Sequence, residues 1–131
     1  MLEKFIEAGD PFTDQQLEQI YRVAGFSLPS AYCEFAKKYG DAFVGGLVDA
    51  SPDFPVSGFF SSEKVISNFE FNATYKENRA IPIADCELGN IWVLGDDGSI
   101  HFINFYNRPT VTTKVSSSFQ DFLSRISIED E

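Results

Sequence analysis

Apolar residues return at every third or fourth position in five stretches of the chain, and glycine, proline or aspartate interrupts the pattern between them. Leu2, Phe5 and Ile6 predict a short first helix ending at Gly9, with Asp10-Pro11 as its stop. Leu17, Ile20, Tyr21 and Ala24 line one face of a helix over 13–24. Its start carries a full set of signals: Thr13 to cap, Gln16 at the reciprocal position, and Phe12 and Leu17 placed as a hydrophobic staple. Tyr32, Phe35, Ala36 and Tyr39 predict a helix over 30–39, opened by Leu28-Pro29 and stopped by Gly40. Val65, Ile66 and Phe69 place another over 62–71, which decays into the polar run 72–79. Phe119, Phe122, Leu123 and Ile126 place the last over 117–126, behind a serine run that caps it.

Between these stretches the period shortens. Phe43 to Val48 reads as a strand interrupted by a bend or bulge at Gly45-Gly46. Residues 49–58 hold two prolines and two aspartates and are expected to form a loop, with Phe59-Phe60 closing a strand. Ile81–Ala84 is a short strand whose proline suits a start or an edge. Residues 91–94 and 99–103 flank Gly95-Asp96-Asp97-Gly98, a hairpin with Asp-Gly turn chemistry. Both of its strands are apolar on both faces, so the hairpin is expected to be central and covered. Val111 to Val115 supplies a final strand. The order of elements predicts an α+β fold, with helices packed around a mainly antiparallel sheet in a single domain over 1–131. Tyr32, Phe35, Trp92, Phe119 and Phe122 are expected in its core, and residues 128–131 to form a flexible acidic tail.

The composition supports one packed core: 131 residues, 44% hydrophobic, with fourteen phenylalanines. Twenty acidic residues against ten basic give a net charge of −10. That field repels phosphate backbones and attracts basic protein surfaces, so no nucleic-acid partner is expected. Solubility alone selects the same charge. The first residues lack the apolar run of a signal peptide, and no stretch reaches the ~20 apolar residues of a membrane span. With two dispersed cysteines besides, the expectation is a cytoplasmic protein without disulfides.

Catalytic patterns fail by inventory. The one histidine, His101, falls mid-hairpin, and no Gly-x-Ser-x-Gly elbow accompanies it. One His and two distant Cys, Cys33 and Cys86, do not make a zinc site, and phosphate-cradling glycine motifs are absent. No cofactor and no metal are expected. Asp41, Asp49 and Asp53 approximate a cation loop but match no calcium spacing, and a solvated loop explains them as well. Turn chemistry explains Asp96 and Asp97. Phe54, between Asp53 and Pro55, reads either as an apolar anchor among acids or as a loop residue tucked into the core.

The run Leu28-Pro29-x-x-Tyr32-x-x-Phe35, closed by Tyr39-Gly40, resembles the helix signature of the SUKH superfamily. The strands Ile81–Ala84, Asn90–Leu94 and Asp97–Ile100 are similar to that family's middle section. The closing helix Val115-Ser116-Ser117-Ser118-Phe119-x-x-Phe122-Leu123 resembles its last element. The pattern departs at Gly40-Asp41, where many members carry Asn-Gly-Gly. The resemblance covers about residues 13 to 126. It implies an α+β fold and a non-enzymatic role, as in bacterial immunity proteins that silence a cognate toxin, often a nuclease encoded immediately upstream. A fungal cell-wall-synthesis regulator in the same group implies the alternative of an intracellular scaffold or regulator. Family members share no catalytic residues to carry over. The expected partner surface therefore rests on loop acids alone: Asp41, Asp49, Asp53, Asp85, Glu87, Asp96 and Asp97, with Phe54 as an apolar anchor.

Overall fold

The computed structural model describes residues 6–106 and 110–128. Two helices open it, α1 (Asp14–Ala24) and α2 (Ser30–Tyr39). The start of α1 is held by the reciprocal box the sequence spells out. Thr13 Oγ1 accepts from the Gln16 amide at 3.1 Å, and Gln16 Oε1 accepts from the Thr13 amide at 2.9 Å. Gly25, at φ +81°, ends the helix. Then follow β1 (Phe43–Val48), β2 (Pro55–Gly58), α3 (Ser62–Phe71) and the single-turn α4 (Ala73–Glu77). Four strands come next: β3 (Ala80–Asp85), β4 (Ile91–Gly95), β5 (Ile100–Asn104) and β6 (Val111–Ser116). The last elements are α5 (Phe119–Ser124) and β7 (Ile126–Ile128).

The strands form two antiparallel sheets, one ordered β2-β1-β7 and the other β3-β4-β5-β6. A single bridge between Phe59 and Ala84, with the Phe60 amide on Ile83 O at 2.8 Å, fastens the first to the second. The hairpin β4–β5 lies in the middle of the larger sheet, as its two apolar faces predict, with Trp92 opposite Phe102. Helix α5 packs its Phe119 and Phe122 into the space between sheets and helices. Phe119 meets Tyr32 and Phe35 at centroid distances of 5.4 Å each, and Trp92 meets Phe102 at 4.5 Å and Phe122 at 4.9 Å. Edge-on and tilted pairs of this kind add about 0.5–1.5 kcal/mol each beyond the area they bury. Trp92 is fully enclosed, and its indole N–H donates to Pro55 O at 2.8 Å.

Several boundaries depart from the sequence expectation. The helix expected before Gly9 is absent from the described residues. Glu7 instead exchanges two backbone hydrogen bonds with Phe43, and Gly9 donates to Tyr39 O at 2.9 Å. Leu2 and Phe5 lie outside the described residues. The loop expected over 49–58 ends early, because 55–58 pair with β1 as β2, while Phe59 makes only the one bridge to Ala84. Helix α5 stops at Ser124 rather than 126, and the chain turns into β7. Ile126 is buried as expected, but from a strand. Ile128, assigned to the flexible tail, pairs with Gly46 in that strand; the rest of the tail lies outside the described residues. Gly46 is what lets β7 approach. A Cβ there would lie 2.7 Å from Ile126 Cγ2 and 2.8 Å from Ser127 O, too close for any side chain.

Candidate functional site

Among the described residues, a serine, an acid and the histidine come together at the β4–β5 turn. A small cavity of about 110 Å³ opens there beside Asp97, Ser99 and His101. Ser99, 2% exposed, has its hydroxyl 2.5 Å from Asp97 Oδ1 and 3.4 Å from His101 Nδ1. The Ser99 amide donates to the same carboxylate at 2.9 Å. The wiring is the reverse of a nucleophilic triad. The hydroxyl proton goes to the carboxylate, the acid does not orient the imidazole, and the serine oxygen is sealed inside the turn. These bonds, the Ser99 hydroxyl first, hold the Asp97 carboxyl below the usual carboxylate range. The arrangement builds a turn. Among the described residues, no three His, Cys, Asp or Glu side chains are grouped so as to hold a metal ion.

The eight residues expected at a partner surface fall into separate places. Asp96 and Asp97 share the β4–β5 turn, and Asp96 accepts from Arg79 Nε at 2.6 Å. Asp85, opposite Ile91, lies at the other end of β4, with Glu87 two residues on, so roughly 17 Å of strand separates the two pairs. Asp85 Oδ1 accepts from the Gly58 amide at 3.3 Å, and Gly58 pairs with Phe43. That places Asp85 at the same end of β1 as Asp41, whose carboxylate accepts from the Asp10 amide at 2.7 Å. Asp49 and Asp53 belong to the turn at the other end of β1. Phe54, in that turn, is half-buried, its ring 5.8 Å from Phe102 and 6.1 Å from Trp92.

Asp49 is bound by a residue the sequence reading did not single out. Arg125, at the end of α5, donates from Nε to Asp49 Oδ1 at 3.0 Å and from Nη2 to Oδ2 at 2.5 Å. Its Nη1 reaches Asp121 at 3.0 Å and Val115 O at 2.7 Å. The forked guanidinium lowers the Asp49 pKa, and Ser116 together with Arg125 lowers that of Asp121. Asp49 and the residue after it, Ala50, lie at φ +54° and +55°, left-handed backbone that a β-carbon disfavours at alanine. Nothing local in the sequence marks a partnership across 76 residues. Two further surfaces were also unmarked. A groove of about 570 Å³ runs between α2 and α5 over Phe35 and Ile126, and the tip of the larger sheet exposes Leu88 and Tyr106.

The described residues thus offer exposed acids and apolar tips, and the one serine–acid–histidine grouping among them is wired as a turn. A model of the SMI1 / KNR4 family (SUKH-1) matches residues 11–125. The chain belongs to that family. The match runs from Pro11 to Arg125, taking in every helix and every strand except β7. None of the curated proteins compared with the chain matches it. Membership agrees with the ordered motifs read from the sequence, whose helix signature is α2 and whose closing element is α5. No helix of the described residues of this SUKH-1 domain is long and apolar enough to cross a membrane.

Proposed function

We propose that this SUKH-1 domain is a non-enzymatic protein-binding module, an immunity protein that binds and neutralises a cognate toxin domain with a basic surface. The observation that carries the reading is SUKH-1 membership over residues 11–125 in a chain of net charge −10. Acidic charge of this size speeds encounter with a basic partner, and fixed loop acids set its orientation. Asp41, Asp85 and Glu87 form one acidic face; Asp49 with Asp53 and Asp96 with Asp97 form two others. Within the described residues no hydrogen bond or ion pair engages the carboxylates of Asp53 and Glu87, whereas Asp49 and Asp96 are paired to arginines. A cytoplasmic location follows from this reading, since an immunity protein guards the cell that makes the toxin.

The test is to co-express the chain with the product of the reading frame immediately upstream. A stable one-to-one complex that abolishes the toxin's activity is the expected result. Charge reversal of the three acid groups, one at a time, then reads which face governs association at low and high salt. Absence of a complex, with the toxin active in the presence of the chain, overturns the reading. The family name itself favours the second reading, an intracellular scaffold or regulator of the SMI1/KNR4 kind. Such a protein would bind partners other than a toxin and leave toxin activity untouched.

A further inference from the structure

Two large side chains stand in water at one end of the larger sheet. Leu88, in the β3–β4 turn, and Tyr106, at the start of the β5–β6 connection, are each 70% exposed. They belong to adjoining turns: a Cβ on Gly89 would lie 2.9 Å from Tyr106 Oη, so the tyrosine ring lies over the glycine next to Leu88. The two turns are cross-braced. Asn90, itself buried, accepts from the Phe105 amide at 3.1 Å, and its carbonyl accepts from Cys86 at 3.0 Å. Asn104 Oδ1 holds the Tyr106 amide at 3.0 Å, and Phe105 packs edge-on against Tyr75 at 6.3 Å. The β3–β4 turn and the chain leading into Tyr106 are therefore braced before any partner arrives.

We infer that Leu88 and Tyr106 are the apolar anchors through which this SUKH-1 domain docks its basic protein partner, with Glu87 as the charged rim beside them. The inference rests on the immunity reading and specifies its contact surface. A tyrosine gives a large, stiff contact area with a polar tip, and a braced turn removes the ordering cost that a mobile loop would incur on binding. Charge selects the partner. Glu87 is exposed next to Leu88, and Asp85 lies two residues before Glu87 in a chain of net charge −10, so a cationic surface is the one this tip complements. The Asp96–Asp97 turn at the opposite end of β4 has both carboxylates tied into the fold, and its Ser99 is buried.

The probe is the purified toxin domain encoded immediately upstream, titrated against the full chain and its variants, with thermal unfolding measured on each. Tyr106→Ala is expected to weaken binding roughly 30-fold, mainly through faster dissociation, and Leu88→Ala several-fold, while both leave the unfolding temperature unchanged. Glu87→Lys is expected to slow association at low salt and much less at high salt, and Asp96→Ala to do neither. If the unaltered chain binds and Tyr106→Ala and Leu88→Ala bind within twofold of it, the surface is wrong and the immunity reading stands. If Asp96→Ala weakens binding more than Tyr106→Ala, docking is at the other end of the sheet and the inference fails. If the unaltered chain does not bind, the reading and the surface fall together.

Discussion

At one end of β4 the chain reads Cys86-Glu87-Leu88-Gly89-Asn90, and at the other Asp96-Asp97-Gly98-Ser99. Both are acidic turns built on a glycine, and on composition alone they are interchangeable. Their hydrogen bonding separates them. In the second turn the acids do the folding: Asp97 takes the Ser99 amide and hydroxyl, and Asp96 takes Arg79. In the first, a buried amide does it, since Asn90 ties the turn to Phe105 and leaves Glu87 and Leu88 facing water. The acidity of a loop and its availability to a partner are therefore independent properties. The group that satisfies the turn's own backbone decides between them.

The comparison breaks most visibly if the strand joining the two turns is hollowed out. Trp92→Ala is expected to lower the unfolding free energy by about 3–5 kcal/mol in urea titrations, because the fully buried indole leaves a cavity and orphans Pro55 O. Both turns should lose order together. Gly89→Ala acts on one end only. Its φ of +85° and the nearby Tyr106 hydroxyl predict a loss of about 1–2 kcal/mol, with amide shifts at Tyr106 and none at Ser99 in NMR spectra.

Ser99→Ala acts on the other end, at about 1 kcal/mol, and it also changes the pH profile. The folded Asp97 carboxyl titrates below its ordinary value, chiefly through the Ser99 hydroxyl, so its stabilisation is complete above that value. It is lost as pH falls through the folded pKa. Removing the hydroxyl should flatten the decline in stability below about pH 4. Identical acid limbs in the two proteins would show that the bond carries no stability. The smallest effect is expected from Asp96→Ala, within about 0.5 kcal/mol, because the Arg79 pair is solvent-exposed and salt-screened.

Where local chemistry decided the structure, the sequence was readable. Thr13 and Gln16 marked α1, the Asp-Gly turn marked the β4–β5 hairpin, and the aromatic stripe of α2 gave Tyr32 and Phe35 as core. Where a distant segment decided it, the same rules misled. Phe119, Phe122, Leu123 and Ile126 keep helical spacing through Ile126, yet β1 captures Ile126 as a strand residue. Ile6 to Asp10 have no helix in the described structure because Phe43 and Tyr39 offer them backbone partners. Spacing along the chain could not show that Arg125 binds Asp49 or that the pairs at 85–87 and 96–97 lie toward opposite ends of β4. Leu88 and Tyr106 were not singled out, since a lone leucine or tyrosine in a connection carries no pattern that marks it as exposed.

The closure of β1 by β7 has a consequence for how the chain comes into being. Ser127 Oγ donates to Leu47 O across 80 residues, and Asp49 waits for Arg125 across 76. A ribosome adding ~5–20 residues each second delivers that second partner roughly 4 to 16 s after β1 itself has emerged. Until then β1 has β2 on one side and an open edge on the other, apolar at Leu47 and Val48 and stripped of side-chain cover at Gly46. Contacts of this sequence separation also make for slow nucleation in a full-length chain. The nascent protein therefore carries an apolar strand edge that the finished fold covers, and that edge is open to pairing with another chain until β7 arrives.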